Sequence, residues 1–208
     1  MIAVLTGDVI HSSKMSSKQY SQTIETLKQL ISAEKQKSKA SGDIYRGDEF
    51  QLQYSKPEYA LQSALIFKLS LPCTLSLAYG NYDLLNDSPS TSSGPVYVES
   101  GKRLDKATRG DLIVNLSSDT SVFQNGSNPT ASLPNSLLLL NSFLTHTLNS
   151  LTKSQSELLL TYIKNEFPEH KVLAELTGTS RQNISNRLSS MGAHLVRDYV
   201  NYINQLLA

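Results

Sequence analysis

The sequence predicts an α+β domain followed by an all-α domain, and three observations carry that reading. Over residues 1–118, short β-prone runs alternate with segments of helical period in the order β-α-β-β-α-β-α-β. That order suits a mostly antiparallel sheet with helices packed on one face. Residues 119–135 then change character, being rich in Ser, Asn, Gly and Pro, and read as a linker. From residue 136 to 208 every segment has helical period.

The elements follow in order. Residues 2–10 read as a buried strand. From Ser17 to Lys39, the residues Tyr20, Ile24, Leu27, Leu30, Ile31 and Glu34 recur at helical spacing until Ser41-Gly42 breaks the helix. Residues 43–54 form a hairpin with Gly47-Asp48 at its tip, since glycine supplies the positive φ of a tight turn. Pro57 sits at a helix start, where its missing N–H is harmless, and Tyr59, Leu61, Ala64, Leu65 and Leu69 carry that helix to Pro72. Cys73 to Tyr79 alternates as a strand does. Asn86 to Gly94 is a loop. Val96 to Thr108 is helical and leads through Arg109-Gly110-Asp111 into the strand Leu112-Ile113-Val114. Beyond the linker, Asn135 or Ser136 caps a helix carrying Leu137 to Leu140, Phe143, Leu144 and Leu148. Thr152 caps the next, whose apolar face is Leu158, Leu159, Tyr162 and Ile163.

Composition excludes several classes. The chain has 208 residues and a formal net charge of +1, so bulk charge argues for neither nucleic acid nor an anionic membrane. Its one cysteine, Cys73, excludes a disulfide framework and a multi-cysteine metal site, and its strand context makes it a buried residue. No apolar run approaches the roughly 20 residues that span a bilayer. The start Met1-Ile2-Ala3-Val4-Leu5 turns polar too soon for a signal peptide, which points to a cytoplasmic protein without membrane partners. His11, His146, His170 and His194 show no zinc spacing.

Asp8, near the end of the first strand, and Asp48, at the hairpin tip, each follow a glycine. Carboxylates on adjacent strand ends suit a hard cation, and Mg²⁺ usually takes one or two of them plus substrate phosphates. Each also has an ordinary reading, Asp8 as a cap of the following loop and Asp48 as a turn residue. Glu49 falls on the face opposite Asp48 if the strand is regular. After the first strand, His11-Ser12-Ser13-Lys14 offers backbone N–H groups and a lysine to a phosphate; alternatively Ser12-Ser13 caps the first helix.

The run Lys171 to Leu188 has the grammar of a helix-turn-helix. Ala174 is small where two helices cross, Gly178 suits a left-handed turn, Ser180 can cap the second helix, and Ile184 and Leu188 share its inward face. Outward lie Arg181, Gln182, Asn183, Ser185, Asn186 and Arg187, side chains that hydrogen-bond base edges and phosphates. A plain helical hairpin with a solvated face has the same pattern. From Leu151 onward the basic and acidic side chains nearly balance, so DNA binding calls for a dimer. In the last segment Leu195, Val196, Tyr199, Val200, Ile203 and Leu206 form an apolar stripe that fits either internal packing or a homodimer interface.

The element order and these motifs together resemble the nucleotide-cyclase-like palm of class III cyclases and diguanylate cyclases. Asp8 with Val9-Ile10 resembles their first-strand metal aspartate, and Gly47-Asp48 their hairpin aspartate. Arg46-Gly47-Asp48-Glu49-Phe50 is similar to the diguanylate cyclase signature. Gly94-Pro95-Val96 through Arg103-Leu104 and Gly110-Asp111-Leu112-Ile113-Val114 resembles the later helix and strand, in which an arginine stabilises the transferring phosphate; Arg103 matches it. With the C-terminal helix-turn-helix, nearly the whole chain resembles the bacterial SatD-type family. The resemblance implies a ferredoxin-like or cyclase-like palm, Mg²⁺ at Asp8 and Asp48, and a nucleoside triphosphate or other phosphate near Ser12, Ser13, Lys14, Arg46 and Arg103. The cyclase asparagine falls on Glu99 and the purine-selecting position on Ile44, so it implies binding without strong cyclisation. Arg103 also has an ordinary reading, a salt bridge to Glu99 four residues earlier. The expected function is a DNA-binding transcriptional regulator whose N-terminal domain binds a metal-nucleotide or other phosphate ligand. An active Mg²⁺-dependent nucleotidyl cyclase and a protein-interaction module are the alternatives.

Overall fold

The central strand, β1 (Ile2–Val9), forms where four consecutive apolar residues open the chain. All four, Ile2, Ala3, Val4 and Leu5, are buried, so both faces of the strand are covered at this end. The computed structural model describes residues 1–45, 47–116 and 133–208. After β1 come α1 (Ser17–Ser38), β2 (Ser41–Tyr45), β3 (Glu49–Tyr54), α2 (Ala60–Ser70), β4 (Cys73–Gly80), α3 (Pro95–Lys106) and β5 (Leu112–Leu116). The sheet order is β2-β3-β1-β4-β5. Every neighbouring pair is antiparallel except β4–β5, which is parallel. The first four strands with α1 and α2 make the interleaved split βαβ units of a ferredoxin-like fold.

One sheet face is filled by α1 and α2. The Phe50 ring stacks on Phe67 of α2 with centroids 5.2 Å apart. Gly7 lies beneath that pair, and a Cβ on it would come within 2.3 Å of the Phe50 ring and 2.7 Å of Leu75. The expectation of helices on one face needs correction: α3 covers the opposite face. Its Val96 joins a cluster with Ile2, Val4 and Ala78. Its Ser100 hydroxyl lies 2.6 Å from Thr6 Oγ1 and donates to the Ser76 carbonyl at 3.2 Å. The reason is the apolar start of β1, which has hydrophobic side chains on both faces, and the parallel β4–β5 pair, which requires a crossover element.

The cap of α1 is Ser16, whose hydroxyl accepts from Gln19 N at 3.3 Å while Gln19 Oε1 accepts from Ser16 N at 3.0 Å. This reciprocal pair replaces the expected Ser12-Ser13 cap. The linker reading over 119–135 lies almost wholly outside the described residues. Its last three residues belong to α4 (Leu133–Asn149), so Asn135 and Ser136 sit inside that helix rather than at its cap. Asn141 of α4 donates to the Val114 carbonyl at 2.7 Å and accepts from Val114 N at 3.3 Å. Thr145 Oγ1 bonds the N–H and the carbonyl of Leu112, each at 3.2 Å. These side chains satisfy β5, an edge strand.

Accordingly the chain divides into two compact units inside α4, Met1–Thr145 and His146–Ala208, whereas the composition changes earlier. The second unit contains α5 (Lys153–Lys164), α6 (His170–Thr177), α7 (Arg181–Ser190) and α8 (Ala193–Leu207). Thr152 caps α5 as expected, in a reciprocal pair with Gln155. α8 buries Val196, Tyr199, Val200 and Ile203 and leaves Leu195 62% exposed. Among the described residues no helix is long and apolar enough to cross a membrane.

Candidate functional site

Asp8 is one residue from the end of β1, opposite Glu49 of β3 and Thr74 of β4. Residues directly paired across strands share a face, so Glu49 and Thr74 flank Asp8 on either side. The hairpin turn brings Asp48 to the same place. Gly47 makes that turn with φ 89°, and Val9 N donates to the Asp48 carbonyl at 3.3 Å. Ser12, on the turn after β1, donates its hydroxyl to the Asp48 carboxylate. The charges of Asp48 and Glu49 therefore act on the Asp8 carboxylate. Burial and then the neighbouring charges of Asp48 and Glu49 raise the pKa of Asp8, and Arg109 opposes them.

Arg109 stands on the tight loop into β5. Gly110 N donates to Thr74 Oγ1 at 3.1 Å, the Gly110 carbonyl accepts from Lys68 Nζ at 2.6 Å, and Leu75 N donates to the Asp111 carbonyl at 2.9 Å. Because Thr74 pairs with Asp8, this anchoring holds the exposed Arg109 where its charge acts on Asp8.

Of the residues expected here, the structure brings together Asp8, Asp48 and Ser12. Ser13 and Lys14 are exposed on the same short turn. Arg46 lies outside the described residues. Arg103 is engaged elsewhere: its Nε donates to Glu99 at 2.6 Å, and Asn115 donates to the same carboxylate oxygen at 3.2 Å. Ile44 pairs with Phe50 and so belongs to the face covered by α1 and α2, away from Asp8. Two members of the cluster escaped sequence reasoning. Glu49 was set aside by counting alternation from Asp48, but Asp48 is in the turn and the strand begins at Glu49 itself. Arg109 carried no local signal, since only the sheet order β1-β4-β5 brings it near Asp8.

Among the described residues no group of three or more His, Cys, Asp or Glu side chains is arranged to hold a metal ion. The donors at Asp8 and Asp48 are hard oxygens whose mutual repulsion a cation would relieve. They fit Mg²⁺ in the mode where substrate phosphates and water complete the shell.

The second candidate is the pair α6 and α7. Gly178 ends α6 with φ 64°, and Ser180 Oγ caps α7 by accepting from Asn183 N at 3.2 Å. Leu173, Ala174, Ile184 and Leu188 are buried between the helices and their neighbours. Arg181, Gln182, Asn183 and Asn186 are exposed, with Gln182 donating to Asn186 at 3.1 Å. Arg187 differs from them: it is half-buried and donates to the Ser154 carbonyl at 3.2 Å and to Ser154 Oγ at 2.9 Å, tying α7 to the start of α5.

No protein-family model matches this chain, and no curated protein matches it. Solved structures of similar chain path are guanylyl cyclase domains. The guanylyl cyclase Cya2 is 13% identical, over 61% of this chain and 78% of that one, with a TM-score of 0.43. The catalytic core of a rhodopsin-guanylyl cyclase with converted specificity, in complex with ATPαS, is 16% identical over 54% and 76%, with a TM-score of 0.39. A dimeric guanylyl cyclase domain of the RhoGC fusion protein from the aquatic fungus Blastocladiella emersonii is 13% identical over 54% and 78%, with a TM-score of 0.40.

Proposed function

We propose that this protein is a cytoplasmic, homodimeric DNA-binding transcriptional regulator of the SatD type, whose cyclase-like N-terminal domain binds a metal-nucleotide or other phosphate ligand. The observation that carries the DNA reading is the exposed face of α7, where Arg181, Gln182, Asn183 and Asn186 lie opposite the buried Ile184 and Leu188. Such a face would suit a recognition helix, whose side chains read bases from a rigid inner seam. Arg187 contributes by holding α7 against Ser154, and a phosphate contact from it would compete with that bond. A dimer would read two half-sites about 10 base pairs, or a multiple, apart.

At the other end, Asp8 and Asp48 would hold Mg²⁺, with Ser12 orienting Asp48 and the turn Ser12–Lys14 facing the phosphates. The ion would supply charge neutralisation at the phosphates. Arg109 is the cation whose charge acts on Asp8, and it takes the phosphate-binding part that the resemblance assigns to Arg103.

Selection of bound sequences from genomic DNA, followed by titration at fixed salt, tests the reading. Arg181→Ala or Asn183→Ala should weaken the specific site by roughly 1–3 kcal/mol and random DNA much less. If the wild type has no sequence preference and Arg181→Ala changes nothing, the helical unit is a protein-interaction module. The convergence of Asp8, Asp48 and Arg109 also favours a second reading, an active Mg²⁺-dependent cyclase or related phosphoryl-transfer enzyme. Glu99 and Ile44 in place of the cyclase residues argue against strong turnover. Incubation with Mg²⁺ or Mn²⁺ and each of the four triphosphates decides between them; cyclic product abolished by Asp8→Asn would make the enzyme the correct reading.

A further inference from the structure

The helical unit contains a cleft of about 630 Å³ bounded by the end of α5, the loop after it, the starts of α6 and α7, and Arg197 of α8. That volume falls within the roughly 300–1,000 Å³ of small-ligand sites. One wall is aromatic. Tyr162 is buried, and the half-buried Phe167 meets it edge to face with centroids 5.2 Å apart. Glu166 and Phe167, both non-glycine, adopt left-handed φ of 60° and 57°, which turns the chain so that Phe167 N donates back to the Tyr162 carbonyl at 2.9 Å. The lining also carries three cations, Lys171, Arg181 and Arg197, with Glu169 its single carboxylate, and Arg197 is in side-chain hydrogen-bond contact with Tyr162. Asp198 fixes the Arg197 guanidinium through Nε and Nη2 at 3.0 and 2.9 Å. Lys171 and Arg181 are exposed and have no ion-pair partner among the described residues. At the start of α6 the Glu169 side chain makes no capping bond, and Glu169, His170 and Lys171 all line the cleft.

We propose that this cleft binds a ring-bearing phosphate ester of mononucleotide size without a metal ion. Lys171, Arg181 and Arg197 take the phosphate, and the Tyr162–Phe167 wall takes the ring. A phosphate alone would use only the cations, whereas the lining also offers the Tyr162 and Phe167 rings. Arg181 is shared between the cleft and the exposed start of α7. One consequence rests on the DNA reading above: ligand in the cleft withdraws Arg181 from DNA and weakens its binding.

The test is calorimetric titration of the full chain in EDTA, with no DNA present, using the four nucleoside 5′-monophosphates and inorganic phosphate as probes. EDTA silences metal-dependent binding at Asp8 and Asp48, so the result is independent of both parts of the proposed function. At least one monophosphate should bind saturably and at least tenfold more tightly than inorganic phosphate. Lys171→Glu should weaken it at least tenfold. Lys164→Ala, an exposed lysine outside the cleft, should leave it unchanged. The proposal is overturned if no monophosphate binds, if inorganic phosphate binds equally well, or if Lys171→Glu has no more effect than Lys164→Ala. Circular dichroism of each variant confirms that the helical unit is folded.

Discussion

Replacing Asp8 by asparagine should stabilise the α+β unit when no divalent cation is present. Asp8 is directly opposite Glu49, the charge of Asp48 acts on it as well, and among the described residues no hydrogen bond to its own carboxylate accompanies that crowding. Like charges directly paired across strands cost up to about 1 kcal/mol. Asp8 is only partly buried, so solvent screens the repulsion, and Arg109 offsets part of it. The net gain for Asp8→Asn is therefore about 0.2–0.5 kcal/mol, or a rise in Tm of roughly 0.5–2 °C for a chain of this size. The pH dependence has a definite sign. Burial and Asp48 raise the folded pKa of Asp8 above its ordinary 3.8, so the folded state binds this proton more tightly than the unfolded chain. Its contribution to stability is greatest below 3.8 and is lost as pH rises through the raised folded value, so the advantage of Asp8→Asn should grow over that window and vanish in acid. Adding Mg²⁺ with a nucleoside triphosphate should reverse the order, since ligand at 100 times its Kd stabilises the wild type by about 2.7 kcal/mol and the variant much less. Differential scanning calorimetry in EDTA, then with Mg²⁺ and triphosphate, reads all of this. If Asp8→Asn lowers Tm in EDTA, Asp8 is a structural cap of its loop and the cation-site reasoning fails.

Other consequences are equally direct. Arg109→Ala should weaken metal-triphosphate binding roughly tenfold, the low end of the effect of a hydrogen bond to a charged group, while Arg103→Ala changes it less than twofold; equal effects would return Arg103 to the site. Gly7→Ala should cost about 1–3 kcal/mol by overpacking against Phe50 and Leu75, measured as a lower denaturant midpoint. Ile184→Asp should unfold the helical unit, because it places a charge at a fully buried position, and loss of helical circular dichroism would record it. Cys73 should resist thiol reagents at pH 8 until the protein unfolds, because burial pushes its pKa up to about 12; rapid labelling of the native protein would contradict the packing of β4.

Local chemistry alone determined much of this molecule. The strand and helix order is written in hydrophobic periodicity, the hairpin in Gly47-Asp48, and the turn between α6 and α7 in Gly178 and Ser180, because each of these depends on residues a few positions apart. Asp8, Asp48 and the outward face of α7 were legible for the same reason. What needed the tertiary structure were the choices made between distant segments. The placement of α3 on the second sheet face follows from Val4 and Val96, which are far apart in sequence and meet only in the folded sheet. Ser12 was a phosphate candidate from its position, and its bond to Asp48 became visible only when the hairpin closed beside β1. The same holds for the cations. Arg103 and Arg109 are both arginines near the end of one helix, and no pattern in the sequence separates them. The pairing of β4 with both β1 and β5 does so, setting Arg109 beside Asp8 while Arg103 is neutralised by Glu99 one helical turn away. Electrostatic partnership depends on distance through space, and sheet order, which local periodicity does not encode, decides that distance.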